Sequence, residues 1–237
     1  MLKALDAARS AGVDLLNVSA GKHRPDCDQN CRICVAVRRT IDEGVCVVAG
    51  AGNRRSDAAL SLFCPALQDG VISVGAYEAV CTTVLRGEQP LYRQSPPVMP
   101  DGSYWVTPPS GLDEHHGYPD DHYCGYLGCT LGKGCKDNRA ERPWEGNVSY
   151  HRGQADVLAP CHRPERTQKG EPFLQSGTSY ATPIVTGALA MVLGELFEAG
   201  KSPTPAQIKR AVVSRASPID KGPVGKLDVE AVLNELS

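Results

Sequence analysis

Gly177-Thr178-Ser179-Tyr180-Ala181-Thr182-Pro183 is followed at once by the apolar run Ile184-Val185-Thr186-Gly187-Ala188-Leu189-Ala190-Met191-Val192-Leu193. The change of character predicts a polar loop that ends where a long helix begins. Thr178 and Ser179 are N-cap residue types, whose hydroxyls can accept from the unpaired N–H groups of a first helical turn. Pro183 is compatible with a helix only near its start. The run is apolar nearly all round as far as Phe197, which predicts a helix sunk in a core. Gly177, Ala181, Gly187, Ala188 and Ala190 keep one face thin enough for close packing by another element. Gly200 is the expected stop.

Upstream, the same alternation recurs. Met1–Ser10 has helical periodicity and stops at Ala11-Gly12, and Val13–Ser19 reads as a short buried strand. Cys34–Ile41 reads as a helix closed near Gly44, followed by the strand Val45–Ala49 and the tight turn Gly50-Ala51-Gly52-Asn53. Val71–Ala76 is a third strand and Ala155–Pro160 a fourth. Helices are expected over Pro205–Val213 and Val229–Leu236. Strands alternating with helices predict an α/β fold, with a mostly parallel sheet lying between helices. The segment from about 77 to 147 is rich in Gly, Pro, Tyr and Cys with little periodicity, and it reads as a long irregular insertion.

A serine opening a helix is either a cap or a nucleophile set where backbone N–H groups would meet a developing oxyanion. The string Gly-Thr-Ser-Tyr-Ala-Thr-Pro closely resembles the nucleophile motif of the subtilisin-like serine proteases, with Tyr180 in place of a Met. Other pieces resemble that family in the same order. Val13–Gly21 is similar to a strand forming one wall of the substrate cleft. Val45–Asn53 is similar to the strand and turn that carry the oxyanion-hole Asn. Val71–Ala76, Asp156–Pro160 and the tail from Thr204 to Val232 also match. The resemblance implies an incomplete three-layer domain over residues 1–237, with the insertion at about 77–147. It implies a serine endopeptidase acting on peptides or proteins, with Ser179 as nucleophile and Asn53 in the oxyanion hole. Ser19, Ala20, Gly21, Ala51 and Gly52 would bind substrate. Lys22 stands where the family often has another Gly.

The family's Asp and His motifs are absent, and both would precede the matched region. Met1 aligns just past them, so the resemblance implies the C-terminal part of a peptidase domain, with a missing N-terminal part as its partner. None of the six histidines has the family's context; His115 and His116, after Asp113-Glu114, could mimic an acid–base pair, but a solvated loop is the preferred reading. Two rivals stand beside this reading. One is a non-catalytic remnant that binds peptides or a partner. The other is an iron–sulfur protein using Cys27, Cys31 and Cys34, whose spacing resembles the cluster loop of radical S-adenosylmethionine enzymes.

Net charge is −2 without a basic block, which argues against nucleic acid. No apolar run is read as clean enough to span a membrane, and the N-terminus lacks the pattern of a signal peptide. Ten cysteines suggest disulfides in an oxidising compartment, or metal binding, and a chain that has lost its true N-terminus would reconcile the high cysteine count with the missing signal. A disulfide-braced or simply Cys-rich loop is preferred for Cys27–Cys34. Zinc at Cys124, Cys129 and Cys135, near His115, His116 and His122, lacks the paired Cys-x2-Cys spacing. No cofactor is expected; the resemblance is compatible with calcium, with no site carried over. Asn147-Val148-Ser149 fits a glycosylation acceptor.

Overall fold

The computed structural model describes residues 1–22, 27–53, 62–81, 139–143, 155–160, 162–166, 172–219 and 223–237. The elements in order are α1 (Leu2–Ser10), β1 (Leu15–Val18), α2 (Arg32–Asp42), β2 (Cys46–Gly50), β3 (Ile72–Cys81), β4 (Arg139–Pro143), β5 (Val157–Pro160), β6 (His162–Arg166), β7 (Pro172–Ser176), α3 (Thr178–Glu198), α4 (Pro205–Ser214) and α5 (Val229–Leu236). They fall into two compact units. The first comprises Met1–Ala76, Pro143–Cys161 and Gly177–Ser237; the second comprises Tyr77–Arg142 and His162–Ser176.

The first unit is the α/β domain that the strand–helix alternation predicts. Its strands pair β1-β2-β3, with β5 also on β3, and the β1–β2 and β2–β3 pairings are parallel. The run Val45-Cys46-Val47-Val48-Ala49 is continuously apolar because both faces of β2 are covered. Successive side chains of a strand alternate between faces. Cys46 and Val48 therefore join one core with Val185, Leu189 and Val192 of α3, Ile208 of α4 and Val232 of α5. Val45, Val47 and Ala49 join the other core with Leu5 of α1, Val37 of α2 and Val71. Each fully buried valine stabilises this three-layer arrangement by about 1.5–3 kcal/mol.

Local chemistry sets the helix ends. Gly44 and Gly200 have φ of +96° and +75°, which a residue with a side chain adopts only under strain. At α3 the Gly200 N–H donates to the Phe197 carbonyl and the Lys201 N–H to that of Leu196, a Schellman closure. Helix α4 opens on a reciprocal capping box between Thr204 and Gln207, with Pro205 in its first turn. Helix α5 opens on Asp228, which accepts from the Ala231 N–H. The Ser217 hydroxyl and then that N–H hold the Asp228 carboxyl below the usual carboxylate range.

Three expectations are corrected. Helix α3 is not sunk in a core: its buried residues, Ala181, Val185, Leu189, Val192 and Leu196 among them, form one stripe at three- and four-residue spacing. Ile184, Met191 and Phe197 lie outward, with Met191 70% exposed, and among the described residues a Cβ at Gly187 would meet nothing within 4 Å. Apolarity all round does not fix which faces are covered. By length and composition α3 also passes for a membrane span, contrary to the sequence reading, although 39% of that stretch is buried within the protein. Third, β3 continues five residues past Ala76, to Cys81. In the second unit, β6 and β7 form an antiparallel hairpin, with His162 opposite Ser176 and Arg166 opposite Pro172, which the sequence reading did not anticipate. Most of the 77–147 insertion lies outside the described residues, as do Cys124, Cys129, Cys135 and Asn147.

One polar group ties the sheet to α4. Asp156 Oδ2 accepts from both the N–H and the hydroxyl of Ser73, each at 2.7 Å. Lys209 Nζ lies 3.1 Å from the same oxygen and donates to the Val71 carbonyl at 2.6 Å. Hydrogen bonds to a charged partner contribute more than neutral ones. Asp156→Ala is expected to lower stability by about 1.5–3 kcal/mol. Urea unfolding followed by circular dichroism checks it, as a lower midpoint at unchanged slope.

Candidate active site

The parallel strands β1 and β2 end at the start of α3, and the candidate residues gather there. After β2 the backbone turns through Gly50-Ala51-Gly52-Asn53. A Cβ at Gly50 would stand 3.0 Å from Thr182 Oγ1 and 3.2 Å from Thr178 Oγ1, so glycine lets β2 approach the helix start closely. Gly52 has φ +114°, and a Cβ there would fall 2.4 Å from the Phe63 ring. The turn is further fixed by the Ala51 N–H donating to the Val74 carbonyl at 2.9 Å and the Phe63 N–H to that of Ala51 at 3.1 Å.

Asn53 reaches the first turn of α3. Its Oδ1 accepts from the Thr178 N–H at 2.7 Å and from the Thr178 hydroxyl at 2.9 Å. A backbone N–H can only donate, so the amide oxygen must face it and Nδ2 must face away. The Thr178 hydroxyl oxygen also accepts from the Gly52 N–H at 3.2 Å. Thr178 is buried and thus clamps the Asn53 turn to the helix. The sequence reading used Thr178 as a cap and did not assign it this role. The helix cap is in fact Gly177, which has no side chain to accept, and Asn53 Oδ1 takes the Thr178 N–H instead. A Cβ at Gly177 would stand 3.0 Å from Asn53 Nδ2, so a bare α-carbon gives the amide room.

Ser179, the second residue of α3, is half-buried, and its hydroxyl donates to the Ser19 carbonyl at 3.0 Å. The cap reading of Ser179 fails, because the N-cap is Gly177 and, among the described residues, the Ser179 oxygen serves no N–H of the first turn. Its own N–H is one of the donors a helix start leaves without an intrahelical partner. Among the described residues, neither this N–H nor Asn53 Nδ2 has an acceptor. The Ser179 N–H stands at the positive end of a 21-residue helix, and Asn53 is held at the same helix start; such a helix end favours a negative oxygen.

The opposite wall is the strand exit Ser19-Ala20-Gly21-Lys22. Asn17, at the end of β1, accepts from the Thr186 hydroxyl at 3.0 Å and donates to Ser19 Oγ at 3.0 Å, joining this wall to α3. Lys22 and Cys64 exchange both backbone hydrogen bonds at 3.0 Å. A Cβ at Gly21 would stand 2.8 Å from the Cys64 carbonyl, so the wall lies flat against that turn. Ser19, Gly21, Ala51, Gly52, Asn53 and Ser179 thus share one region of the first unit. Ala20 is exposed beside them.

The chain matches the model of the subtilase family over residues 1–234. The chain belongs to the subtilase family. Among curated proteins, none matches this subtilase. Its fold is similar to solved structures of maturation proteases. The prenylagaramide maturation protease PagA is 23% identical with a TM-score of 0.57, covering 100% of this chain and 66% of that one. The patellamide maturation protease PatA is 23% identical with a TM-score of 0.57, covering 99% and 67%. The PatG macrocyclase domain is 17% identical with a TM-score of 0.59, covering 99% and 55%. This subtilase therefore spans between about half and two thirds of the length of these structures.

Of its histidines, His23, His115, His116, His122 and His151 lie outside the described residues, and His162 lies in β6 of the second unit. The alternative base at His115 or His116 therefore falls outside the described residues. Among the described residues Cys27, Cys31, Cys34, Cys46 and Cys64 are free thiols, so Cys27–Cys34 is here a Cys-rich loop without a disulfide. Cys31 is the N-cap of α2. Burial works to raise its thiol. The N–H groups of Cys34 and Ile33 and the thiols of Cys34 and Cys27 outweigh that and bring it down to about 7. Burial pushes Cys46 up to about 12, and burial with its thiol neighbours does the same to Cys64.

Proposed function

We propose that this subtilase provides the nucleophile and the oxyanion donors of a serine endopeptidase acting on peptides or proteins. The observation that supports this reading is the Asn53–Thr178 clamp, which holds the Asn53 amide by its oxygen at the start of the helix that carries Ser179. In the proposed reaction Ser179 Oγ adds to the peptide carbonyl carbon as its proton passes to a base. The carbonyl oxygen takes the negative charge and meets the Ser179 N–H and Asn53 Nδ2. The C–N bond then breaks, the proton goes to the leaving amine, and water hydrolyses the acyl-enzyme. The base and its orienting acid come from outside the described residues.

A second reading, non-catalytic peptide binding in the same cleft, is favoured by the Ser179 hydroxyl donating to a backbone carbonyl rather than to a base. One experiment separates the two. The chain alone, and the chain joined to an upstream segment carrying an Asp and a His in the family's motifs, are exposed to a fluorophosphonate and mapped by mass spectrometry. The expected result is an adduct on Ser179 in the extended chain, and weak or no labelling in the chain alone. Absence of the adduct in an extended chain that is folded and binds peptide favours the non-catalytic reading.

A further inference from the structure

Away from Ser179, four thiols from separate stretches converge in the first unit. Cys27 lies in the loop before α2, Cys31 caps that helix, Cys34 sits in its first turn, and Cys64 lies in the turn that precedes β3. All four sulfurs are within 4.8 Å of one another. The distances are 3.3 Å for Cys27–Cys64, 3.5 Å for Cys31–Cys34 and 3.6 Å for Cys34–Cys64. They are 3.8 Å for Cys27–Cys34 and 3.9 Å for Cys31–Cys64.

These lengths discriminate among the uses of four cysteines. A disulfide would bring one pair to about 2.05 Å and leave the others apart; here no pair stands out. A tetrahedral ion with Zn–S bonds of about 2.3 Å has sulfur–sulfur edges of about 3.8 Å, close to all five distances. A cluster of several irons and sulfides fills the space between its thiolates and must spread them further than one ion does. The backbone accounts for the convergence. Cys31 and Cys34 stand three apart at a helix start and share a face. The paired Lys22–Cys64 backbone bonds bring the fourth thiol in from 30 residues away. Thiols are weak hydrogen-bond partners, so mutual hydrogen bonding gives four of them little reason to gather in a partly buried spot.

We propose that Cys27, Cys31, Cys34 and Cys64 bind one Zn²⁺ as a closed tetrathiolate. With four protein ligands the ion has no open position, so its role is structural. The site would brace the cleft from behind. Cys64 backs Gly21, and its neighbour Phe63 seats Gly52, the residue before Asn53.

The test uses the full 237-residue chain expressed with added zinc. Elemental analysis is expected to find one zinc per chain and no labile sulfide. The Co²⁺-loaded chain is expected to show the intense visible bands of tetrahedral cobalt and sulfur-to-cobalt charge transfer. Cys27→Ser and Cys64→Ser should each lose the metal and these bands, while Cys46→Ala, outside the cluster, should keep both. If the serine variants fail to fold, the unmutated chain's stoichiometry and cobalt spectrum still decide. Less than a fifth of an equivalent of metal would overturn the site. So would stoichiometric iron with sulfide, or peptide mapping that finds these four cysteines paired as disulfides in the purified chain.

Discussion

Ser179→Ala, made in a chain extended upstream by the family's Asp and His motifs, is expected to lower peptide hydrolysis by about 10⁶-fold and to abolish fluorophosphonate labelling. The size follows from how a triad works. Its members act as a unit, and removing the nucleophile costs about as much as removing all three. What survives is the part that oxyanion donors and binding supply, about 10³–10⁴ over water in an intact site. The unextended chain should sit near that floor with Ser179 still present. Its hydroxyl donates to the Ser19 carbonyl at 3.0 Å, an oxygen that cannot take the proton away. A steady-state assay on a fluorogenic peptide checks both statements. Robust, Ser179-dependent proteolysis by the unextended chain would place the base within residues 1–237, with His115 and His116 the first to substitute. Activity that survives Ser179→Ala would remove Ser179 from the reaction.

The readability of this fold and site tracks how locally each feature is encoded. The three-layer core was legible because β2 reads as an unbroken apolar run after a helical pattern, and a strand with one wet face would alternate instead. Helix α5 was placed at its observed bounds, because Asp228 is a capping residue in front of a periodic apolar stretch. The exposed face of α3 was not legible: Ile184, Met191 and Phe197 look in sequence like Val185, Leu189 and Val192. Tertiary contact alone decides which of them is covered. In the candidate site, Ser179 and Asn53 stood out by motif. Thr178 was misjudged because a threonine before a helix has an obvious local use, and its partner lies 125 positions away. Cys64 was missed for the same reason. The cluster spacing in sequence ends at Cys34, and the fourth thiol arrives through a backbone pairing that no local pattern announces.

Asn53→Ala in the extended chain is expected to lower kcat by about 10²–10³, the value of such an amide in subtilisin, with KM changed little. An interaction made only as charge develops on the carbonyl oxygen is lost from kcat and not from ground-state binding. Asn53→Asp should be at least as severe, since it removes the donor and sets a negative charge facing the oxyanion. Thr178 provides the sharper check, because it touches Asn53 and not the reacting atoms. Thr178→Val keeps the 2.7 Å bond from the backbone N–H to Asn53 Oδ1 but deletes the 2.9 Å bond from the hydroxyl. It also deletes the acceptor at 3.2 Å for the Gly52 N–H. The amide would then be held from one side. A kcat loss of roughly tenfold follows if that hydroxyl contributes about 1.4 kcal/mol to the amide's alignment. Thr178→Ser, which restores the hydroxyl, should recover most of it. A merely structural role for Thr178 would instead lower the unfolding midpoint of both variants and leave kcat per folded molecule unchanged. Asn53→Ala with undiminished kcat would show that the oxyanion is held elsewhere, and the clamp between the β2 turn and α3 would then serve the fold alone.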